Sequence, residues 1–476
     1  MTKQKDMSIS DFRKYGHEMI DFIADYIDNV ESKPVLAKVN PGEIKGKLPQ
    51  SPPVKSESME DVFNDINKII MPGITHWNHP NFMAYFNSTA SMPGILGEIL
   101  SGAFNTNGMI WKTAPASTEL EEVVLSWFRQ MLQLPQKFFG IIYDLASVSS
   151  MHAIAAAREE AKQKYHNFDI TKLKLYCSEQ AHSSIEKGAI TLGLPLSSVV
   201  KIKTDEQFRM IPSELNNAIR EDIEKELQPF CVVATVGTTS TTSIDPVDEI
   251  VKVSKKYNLW LHVDAAHAGS AAIVPEVRQI LSGVEDADSL VVNPHKWLFV
   301  PIDLSVLFTS KPEVIKKAFS IVPEYLKTDE EEKVINYMDY GIQLGRRFRS
   351  LKLWFVIRYF GVEGLQNIIR EHLRIGELFA DFIDRNPNFE RLAPTPLSTI
   401  CFRALPNKKM SENQLNEFNK RLMDEINNSG KLLLSHTKLQ DKFTIRLTIS
   451  GIRTEEKHIL QAWELIQEKF NMLIQN

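Results

Sequence analysis

The chain has 476 residues, a formal net charge of −5 at pH 7, 43% hydrophobic residues and 24% charged residues. A chain of this length exceeds what one hydrophobic core supports, so we expect two or three domains. The composition is that of a globular protein, and it excludes a basic face for nucleic acid or for an anionic membrane. The sequence has no run of about 18 apolar residues, so it predicts no membrane-spanning helix.

The three cysteines, Cys177, Cys231 and Cys401, lie far apart and lack the spacing of a metal site. We interpret them as buried small side chains of a protein from the reducing cytosol rather than as a disulfide framework. The first residues are charged and lack the apolar core of a signal peptide. A cytoplasmic protein is therefore expected.

Two predicted helices open the chain, over 8–31 and 58–71, and a Pro-, Lys- and Gly-rich segment over 32–55 separates them. In the first helix, apolar residues such as Phe12 and Ile20 fall mostly on one side. This block has little core of its own. Its apolar face is therefore expected to pack against another surface.

A loop and a capped helix are predicted next. Pro80 disfavours helix just before it, and the segment 85–88 predicts a loop. Thr118 and Glu121 have the spacing of a capping box, in which each side chain bonds the backbone N–H of the other residue. Behind them, apolar residues recur along one helix face that we interpret as core: Leu120, Val123, Val124, Trp127, Phe128 and Met131.

The segment 144–150 follows an apolar stretch and combines small and hydroxyl residues at a predicted helix start. Free backbone N–H groups and the positive end of the helix dipole suit a phosphate, with Ala146 and Ser147 as the main donors and Ser149 as a weaker candidate. Serine is also an ordinary N-cap residue, so the pattern has a purely structural explanation as well. Because an acidic side chain would repel a phosphate, Asp144 is expected to point away.

Alternating strands and helices between 140 and 310 predict a mostly parallel sheet with right-handed crossovers. Ligands of such sheets bind at the carboxyl ends of the strands. We therefore expect one shared site for the four polar residues that each follow a predicted strand: His182, Thr239, Asp264 and Lys296. Helix caps are predicted from Ser183 with Glu186, and from Asp245.

The remaining chain predicts a loop and a small second domain. Residues 322–339 are strongly charged without a clean period, which indicates a mobile surface loop. The predicted elements of the second domain are helices over 362–384, 411–428 and 454–473, and strands over 399–404, 431–435 and 443–449. This pattern predicts an α+β domain.

Lys296 and Asp264 are the residues of the sequence that most directly indicate a chemical function. A lysine taken out of water loses proton affinity and becomes a nucleophile that can bind the carbonyl of pyridoxal phosphate (PLP). An aspartate that faces the pyridine nitrogen would keep that nitrogen protonated. Each residue alone has an ordinary explanation, as a surface lysine or as a loop carboxylate or cap. Together, each directly after a strand, they indicate a PLP site.

Several long motifs lie between residues 79 and 361. They are HPNFMAYF (79–86), PASTELE (115–121), TVGTT (235–239), HVDAAHAGSA (262–271), NPHKW (293–297) and GRRFRSLKLWFVIRYFG (345–361). This set resembles the group II PLP-dependent decarboxylases, and most closely the aromatic L-amino acid decarboxylases. The chain departs from the family pattern at Asn87, at Asp144 and Leu145, and at His267, where the family has proline, small residues and tyrosine.

The resemblance implies the aspartate aminotransferase-like fold (fold type I), an α/β fold with a mostly parallel central sheet. It also implies three regions. These are an N-terminal helical arm over 1–84 that packs on a partner subunit, a large PLP-binding domain over 85–361, and a small C-terminal α+β domain over 362–476. The protein is then expected to be a homodimer with shared active sites.

The resemblance further implies site residues. Lys296, Asp264 and His182 are the implied catalytic residues at the cofactor, and Tyr325 of the loop is the implied general acid to Cα. The implied PLP contacts are Ala146, Ser147, His182, Thr239, Asp264, Ala266, Asn293, His295 and Lys296. Tyr85, Phe86 and Gly345 are implied at the substrate. In plant relatives, a glycine at the position of Gly345 accompanies indole substrates and a serine accompanies phenolic ones.

The expected function is decarboxylation of tryptophan, 5-hydroxytryptophan, tyrosine or DOPA to the amine and CO₂. The main alternative is an aromatic aldehyde synthase, which the family marks by phenylalanine at the position of Tyr325. An aminotransferase is a further alternative, because Arg446 is similar in position to the arginine that holds the α-carboxylate in that class. A PLP-binding protein without turnover is disfavoured, because the implied catalytic residues are retained.

Overall fold

The computed structural model describes residues 6–321, 333–406 and 409–475, so Tyr325 lies outside the described residues. The helices of the described chain are α1 Ile9–Asp28, α2 Glu43–Lys47, α3 Met59–Asp65, α4 Met92–Phe104, α5 Pro115–Met131, α6 Ala146–Lys164, α7 Ser184–Thr191, α8 Pro212–Glu224, α9 Val247–Lys256, α10 Pro294–Trp297, α11 Pro312–Phe319, α12 Ser350–Arg385, α13 Glu412–Asn428 and α14 Glu456–Gln475. None of these helices is both long and apolar enough to cross a membrane.

A seven-stranded sheet forms the centre of the large α/β region. Its strands are β1 Phe139–Tyr143, β2 Leu173–Ser178, β3 Val199–Ile202, β4 Gln228–Thr235, β5 Trp260–Asp264, β6 Ser289–Val292 and β7 Ser305–Thr309. They lie in the order β1-β7-β6-β5-β4-β2-β3, and β7 runs antiparallel to both of its neighbours. The other pairings are parallel, which confirms the mostly parallel sheet.

Helices cover both faces of this sheet. Alternate residues of each strand contribute to two different cores, as Ile141 and Ile142 of β1 show. One core includes α6, α7 and α11, and the other includes α5, α8, α9 and the first half of α12. A parallel sheet covered on both faces explains why β4 and β5 are fully buried and read as continuous apolar runs.

A four-stranded antiparallel sheet forms the smaller C-terminal core. Its strands are β8 Phe389–Arg391, β9 Thr399–Ala404, β10 Ser435–Leu439 and β11 Lys442–Thr448, in the order β10-β11-β9-β8. Aromatic and aliphatic side chains of α12, α13 and α14 pack against it. Gly361 interrupts α12 with a φ of 65° and a ψ of 171°. Buried residues of α12 up to Ile369 belong to a core of the large sheet, and those from Ile375 belong to the C-terminal core.

The N-terminal helix α1 has no buried residue. Ile9 is 72% exposed and Phe12 is 66% exposed, so apolar side chains of α1 remain uncovered by the described chain. Ser8 caps the helix by accepting a hydrogen bond from the backbone N–H of Asp11. The predicted helix of this region therefore forms, and its exposed face agrees with the expectation that it packs against another surface.

The predicted helix caps were wrong. Helix α5 begins at Pro115, so Thr118 lies inside its first turn and Glu121 instead accepts a hydrogen bond from the backbone N–H of Ile142. Ser183 precedes α7 without a side-chain bond to the helix. Asp245 accepts hydrogen bonds from two backbone N–H groups, those of Met210 and Thr235, and ties separate loops together.

Other local predictions also needed correction. Val123 belongs to the predicted core stripe of α5 but is exposed, because the buried face of the helix passes instead through residues such as Leu125. The strand predicted over 431–435 begins only at the end of that range, as β10. The short edge strands β3 and β8 were not predicted, since four and three residues carry little periodic signal.

Candidate active site

A cavity of about 200 Å³ opens at the carboxyl ends of the central strands. The residues that line it come from the segments after β1, β2, β4, β5 and β6 and from the loop before α4. They are Phe86, Leu145, Ala146, Ser147, His182, Ser184, Thr235, Gly237, Thr239, Asp264, Ala266, His267, Asn293, His295 and Lys296. This is the position where open α/β sheets bind ligands.

Lys296 lies in the short helix α10, directly after β6. The cavity wall around it is held by backbone bonds, since the N–H of Asn293 donates to the carbonyl of Ala266 at 2.9 Å. Burial lowers the pKa of Lys296, and the charge of Asp264 partly opposes this effect. A lysine with lowered proton affinity is the nucleophile that a carbonyl ligand requires.

Asp264 ends β5 and is 7% exposed. Its Oδ1 accepts a hydrogen bond of 3.1 Å from the backbone N–H of Ala266, which fixes the direction of the carboxylate. Asn293 and His295 lie on the next strand end, and burial lowers the pKa of His295 to about 4. A carboxylate and a lysine therefore share one cavity with a neutral imidazole beside them.

His182 lies in the turn between β2 and α7. Its Nδ1 accepts a hydrogen bond of 3.1 Å from the backbone N–H of Ser184, and burial lowers the pKa of the imidazole. The ring is therefore neutral near pH 7 and carries its proton on Nε2. Such a ring can stack on a flat aromatic ligand without adding charge.

Helix α6 begins at the cavity with Ala146 and Ser147. The carbonyl of Leu145 accepts from the N–H groups of Val148 and Ser149. The N–H groups of Ala146 and Ser147 precede this ladder and have no hydrogen-bond acceptor among the described residues, so a ligand can bind them. Ser149, the weaker candidate, does not line the cavity, and its hydroxyl bonds that of Ser305 at 2.8 Å.

One wall of the cavity is a stack of flat rings. His267 lies between Phe86, with ring centroids 3.8 Å apart, and Trp297, with centroids 4.8 Å apart, and the ring planes differ by 7° and 6°. Burial lowers the pKa of His267 well below its usual value, and neither ring nitrogen has a hydrogen-bond partner in the described chain. The departure from the family tyrosine thus places a neutral imidazole in an aromatic wall.

Comparison with known proteins identifies this constellation. The model of the pyridoxal-dependent decarboxylase conserved domain matches residues 41–405. The chain belongs to the pyridoxal-dependent decarboxylase family. Tyrosine decarboxylase 3 of Petroselinum crispum is 42% identical over 98% of this chain and 92% of the relative. Phenylacetaldehyde synthase of a Rosa hybrid cultivar is 40% identical over 98% of this chain and 94% of the relative.

Solved structures agree with this family assignment. The crystal structure of Oryza sativa TDC with PLP and tryptamine superposes with a TM-score of 0.97 at 34% identity. The match covers 99% of this chain and 100% of that one. The fold of the decarboxylase family predicted from the motifs is therefore confirmed, and PLP is the cofactor of this chain.

The residues of the cavity fit PLP. Three lining residues have buried polar atoms without a partner in the described chain: Thr235 through Oγ1, Asn293 through Oδ1, and His267 through both nitrogens. Unsatisfied buried polar atoms are costly, so a polar ligand is expected to meet some of them. At Gly237, φ is 87° and a Cβ would lie 2.5 Å from that of Ala268, so this lining position requires glycine.

The structure does not bring every predicted site residue of this decarboxylase to the cavity. Phe86 lines it, but Tyr85 is 58% exposed and packs on Trp77, because its φ of 56° turns it away from Phe86. Gly345 is exposed, and an added Cβ would meet only the side chain of Asn107, at 3.7 Å. Gly345 therefore does not line the cavity of the described chain, and its effect on the volume of the substrate pocket stays a prediction.

Sequence reasoning missed several lining residues, namely Leu145, Ser184, Thr235, Gly237 and His267. His267 had been recognised as a departure from the family, but its place in the ring stack had not. The signal for Thr235 was available, because it ends the buried strand β4 and is the first residue of the TVGTT motif. Its side chain was overlooked because strand residues alternate between faces and the register was unknown.

Proposed function

We propose that this decarboxylase removes the carboxylate of an aromatic L-amino acid as CO₂ and releases the corresponding amine. The observation that carries the proposal is the joint placement of Lys296 and Asp264 in one cavity, beside the neutral ring of His182. PLP, when bound, supplies an electron sink for the electrons left by the departing CO₂.

The residues divide the work by their chemistry. Lys296 offers a nucleophilic amine because burial lowers its pKa. Asp264 holds a proton on the pyridine nitrogen of the cofactor through its charge, and the bond from Ala266 keeps the carboxylate in place. We propose that His182 would stack on the flat face of the cofactor, with Thr239 beside the ring. The free N–H groups of Ala146 and Ser147 would bind the phosphate.

An aromatic substrate is supported by Phe86, which lines the cavity and can pack its ring against a flat side chain. The relatives named above include a tyrosine decarboxylase, and the solved structure holds tryptamine. We therefore propose tryptophan, 5-hydroxytryptophan, tyrosine or DOPA as substrate. The aldehyde synthase among the relatives supports a second candidate function, in which O₂ takes two electrons from the decarboxylated product and becomes hydrogen peroxide. Water then supplies the oxygen of the aldehyde, and ammonia is released.

A substrate panel tests this proposal. The purified chain with PLP should release CO₂ and the amine from at least one of the four aromatic amino acids, without a 2-oxo acid acceptor. Discrimination between one- and two-ring substrates by pocket shape is expected to reach about 10- to 200-fold in kcat/KM. A preference for an acidic or aliphatic amino acid would contradict the aromatic assignment.

Tyr325→Phe provides the control for the aldehyde alternative in the same panel. We propose Tyr325, which lies outside the described residues, as the general acid that protonates Cα. Without its phenol the carbanion persists, so the variant should form aldehyde, ammonia and peroxide, while the wild-type protein should form amine. Peroxide and aldehyde as main products of the wild-type protein would instead favour the aldehyde synthase.

We also propose that the active protein is a cytoplasmic homodimer with shared active sites. The exposed apolar residues of α1, such as Phe12, and of α4, such as Leu96 and Phe104, form faces that a second copy could cover. The three cysteines are buried and unpaired, which suits a reducing compartment. Sedimentation equilibrium should return twice the mass of one chain, and a monomeric mass with full activity would contradict the dimer.

A further inference from the structure

Asp144 places a carboxylate next to the proposed phosphate site. It follows β1 directly and precedes Ala146 by two residues, so the two Cα atoms are at most about 7 Å apart. A carboxylate this close to a dianionic phosphate would repel it. Asp144 does not line the cavity, although the next three residues do, which agrees with the expectation that it points away.

Two side chains from the segment before α12 hold Asp144 in this orientation. The guanidinium of Arg349 forms an ion pair with Asp144, with Nη2 3.0 Å from Oδ1 but without hydrogen-bond geometry, and the amide of Gln343 donates to Oδ2 at 2.8 Å. Arg349 also pairs with Asp303, at 3.1 Å. The Arg349 side chain is 10% exposed and that of Asp144 is 25% exposed, so water screens this contact only in part.

The cavity has little positive charge that could compensate the negative charge of an unpaired Asp144 carboxylate. Among its described lining residues, Lys296 is the single lysine or arginine, and Asp264 balances it. The proposed phosphate end consists of neutral backbone and hydroxyl donors of Ala146 and Ser147. The electrostatic state of Asp144 therefore has a direct effect on phosphate affinity.

We propose that Arg349 is a positioning residue for the cofactor phosphate: it neutralises Asp144 and turns its carboxylate away from the start of α6. Arg349 acts through Asp144 and does not itself contact the cofactor. This inference rests on the assignment of the phosphate to Ala146 and Ser147. It explains how the chain can carry an acidic residue where the family has a small one.

Cofactor titration of the full-length chain tests the proposal. Arg349→Met roughly keeps the length of the side chain but removes its charge, and it should weaken PLP binding about tenfold. The bound cofactor is first removed by dialysis, and PLP is then titrated back while its absorbance is measured. Pyridoxal, which lacks the phosphate, should bind the variant and the wild-type protein equally. An equal loss for both ligands, or no loss for PLP, would overturn the proposal.

A double variant separates charge from structure. Arg349→Met with Asp144→Asn should restore PLP affinity to near the wild-type value, because the unneutralised carboxylate is gone. Arg349→Met with Asp303→Asn is the matched control and should not restore it, since Asp303 is the other partner of Arg349. Rescue by the Asp303 change, or none by the Asp144 change, would refute the assigned role.

Thermal unfolding and circular dichroism show whether Arg349→Met folds. If it does not, Gln343→Leu tests the same proposal. This variant removes the second donor to Asp144, so it should weaken PLP binding about threefold, and Asp144→Asn should reverse the loss. Wild-type affinity for PLP in Gln343→Leu would count against the proposal. A wild-type chain that failed to bind PLP would refute the proposed function instead.

Discussion

Lys296→Ala should abolish steady-state turnover, with a loss in kcat of more than about 10³-fold, because the variant has no amine to exchange the cofactor between protein and substrate. Borohydride reduction followed by mass spectrometry provides a measurement that does not depend on activity. The reduced wild-type protein should carry the cofactor on Lys296, and the reduced variant should carry none.

Lys352 serves as an internal control in the same peptide map. Its side chain is fully buried, and burial lowers its pKa as it does for Lys296, but its Nζ pairs with Glu98 at 2.8 Å. It also lies outside the cavity. Lys352 should therefore remain unlabelled, and a cofactor label there or on any lysine other than Lys296 would contradict the assignment.

The sequence was informative where function and fold depend on contiguous residues. Buried strands such as β5 and β6 are short apolar runs, and the residues that end them are next to them in the chain. Because parallel strands end at one edge of a sheet, Asp264 and Lys296 could be placed together without knowledge of a single contact. The family motifs then supplied the fold as a whole.

The sequence was less informative where a side chain's role depends on distant partners. Glu121 has the spacing of a cap but is buried beside Arg346, 225 residues later, at 2.7 Å. Asp245 has the position of a cap but ties the end of β4 to the loop before α8, and burial raises the pKa of its carboxyl to about 6. Local spacing cannot distinguish these outcomes, because the competing hydrogen-bond donors come from tertiary structure.

The same reason explains why the sequence left the orientation of side chains around the substrate pocket open. Tyr85 and Phe86 are neighbours in one motif, yet the positive φ of Tyr85 sends their rings to different places, and no pattern in the sequence signalled it. His267 is adjacent to a predicted cofactor residue, but its stacking partner Trp297 comes from the next strand end. Positions within a motif predict proximity, whereas orientation depends on backbone angles and packing.

Asp264→Asn should lower kcat/KM about 10²- to 10³-fold while the protein stays folded, because it removes the charge that holds the pyridine proton. The substitution preserves size, and the asparagine oxygen can still accept the bond from Ala266, now 3.1 Å. Steady-state kinetics, together with the absorbance of bound cofactor, separates loss of chemistry from loss of PLP. Wild-type kcat/KM in a fully loaded variant would contradict the role of Asp264.

Asp288→Asn is the matched control, because Asp288 lies at the opposite end of the same pair of strands. Its carboxylate accepts a bond of 2.7 Å from the backbone N–H of Leu261 and pairs with Lys311 at 2.8 Å. Removing its charge should cost stability, about 1–3 kcal/mol, but change kcat/KM by less than about threefold. Equal losses of kcat/KM in the two variants would mean that both carboxylates only stabilise the fold, and that Asp264 has no role in the chemistry. A loss confined to Asp264→Asn would locate the chemistry at the carboxyl ends of the strands.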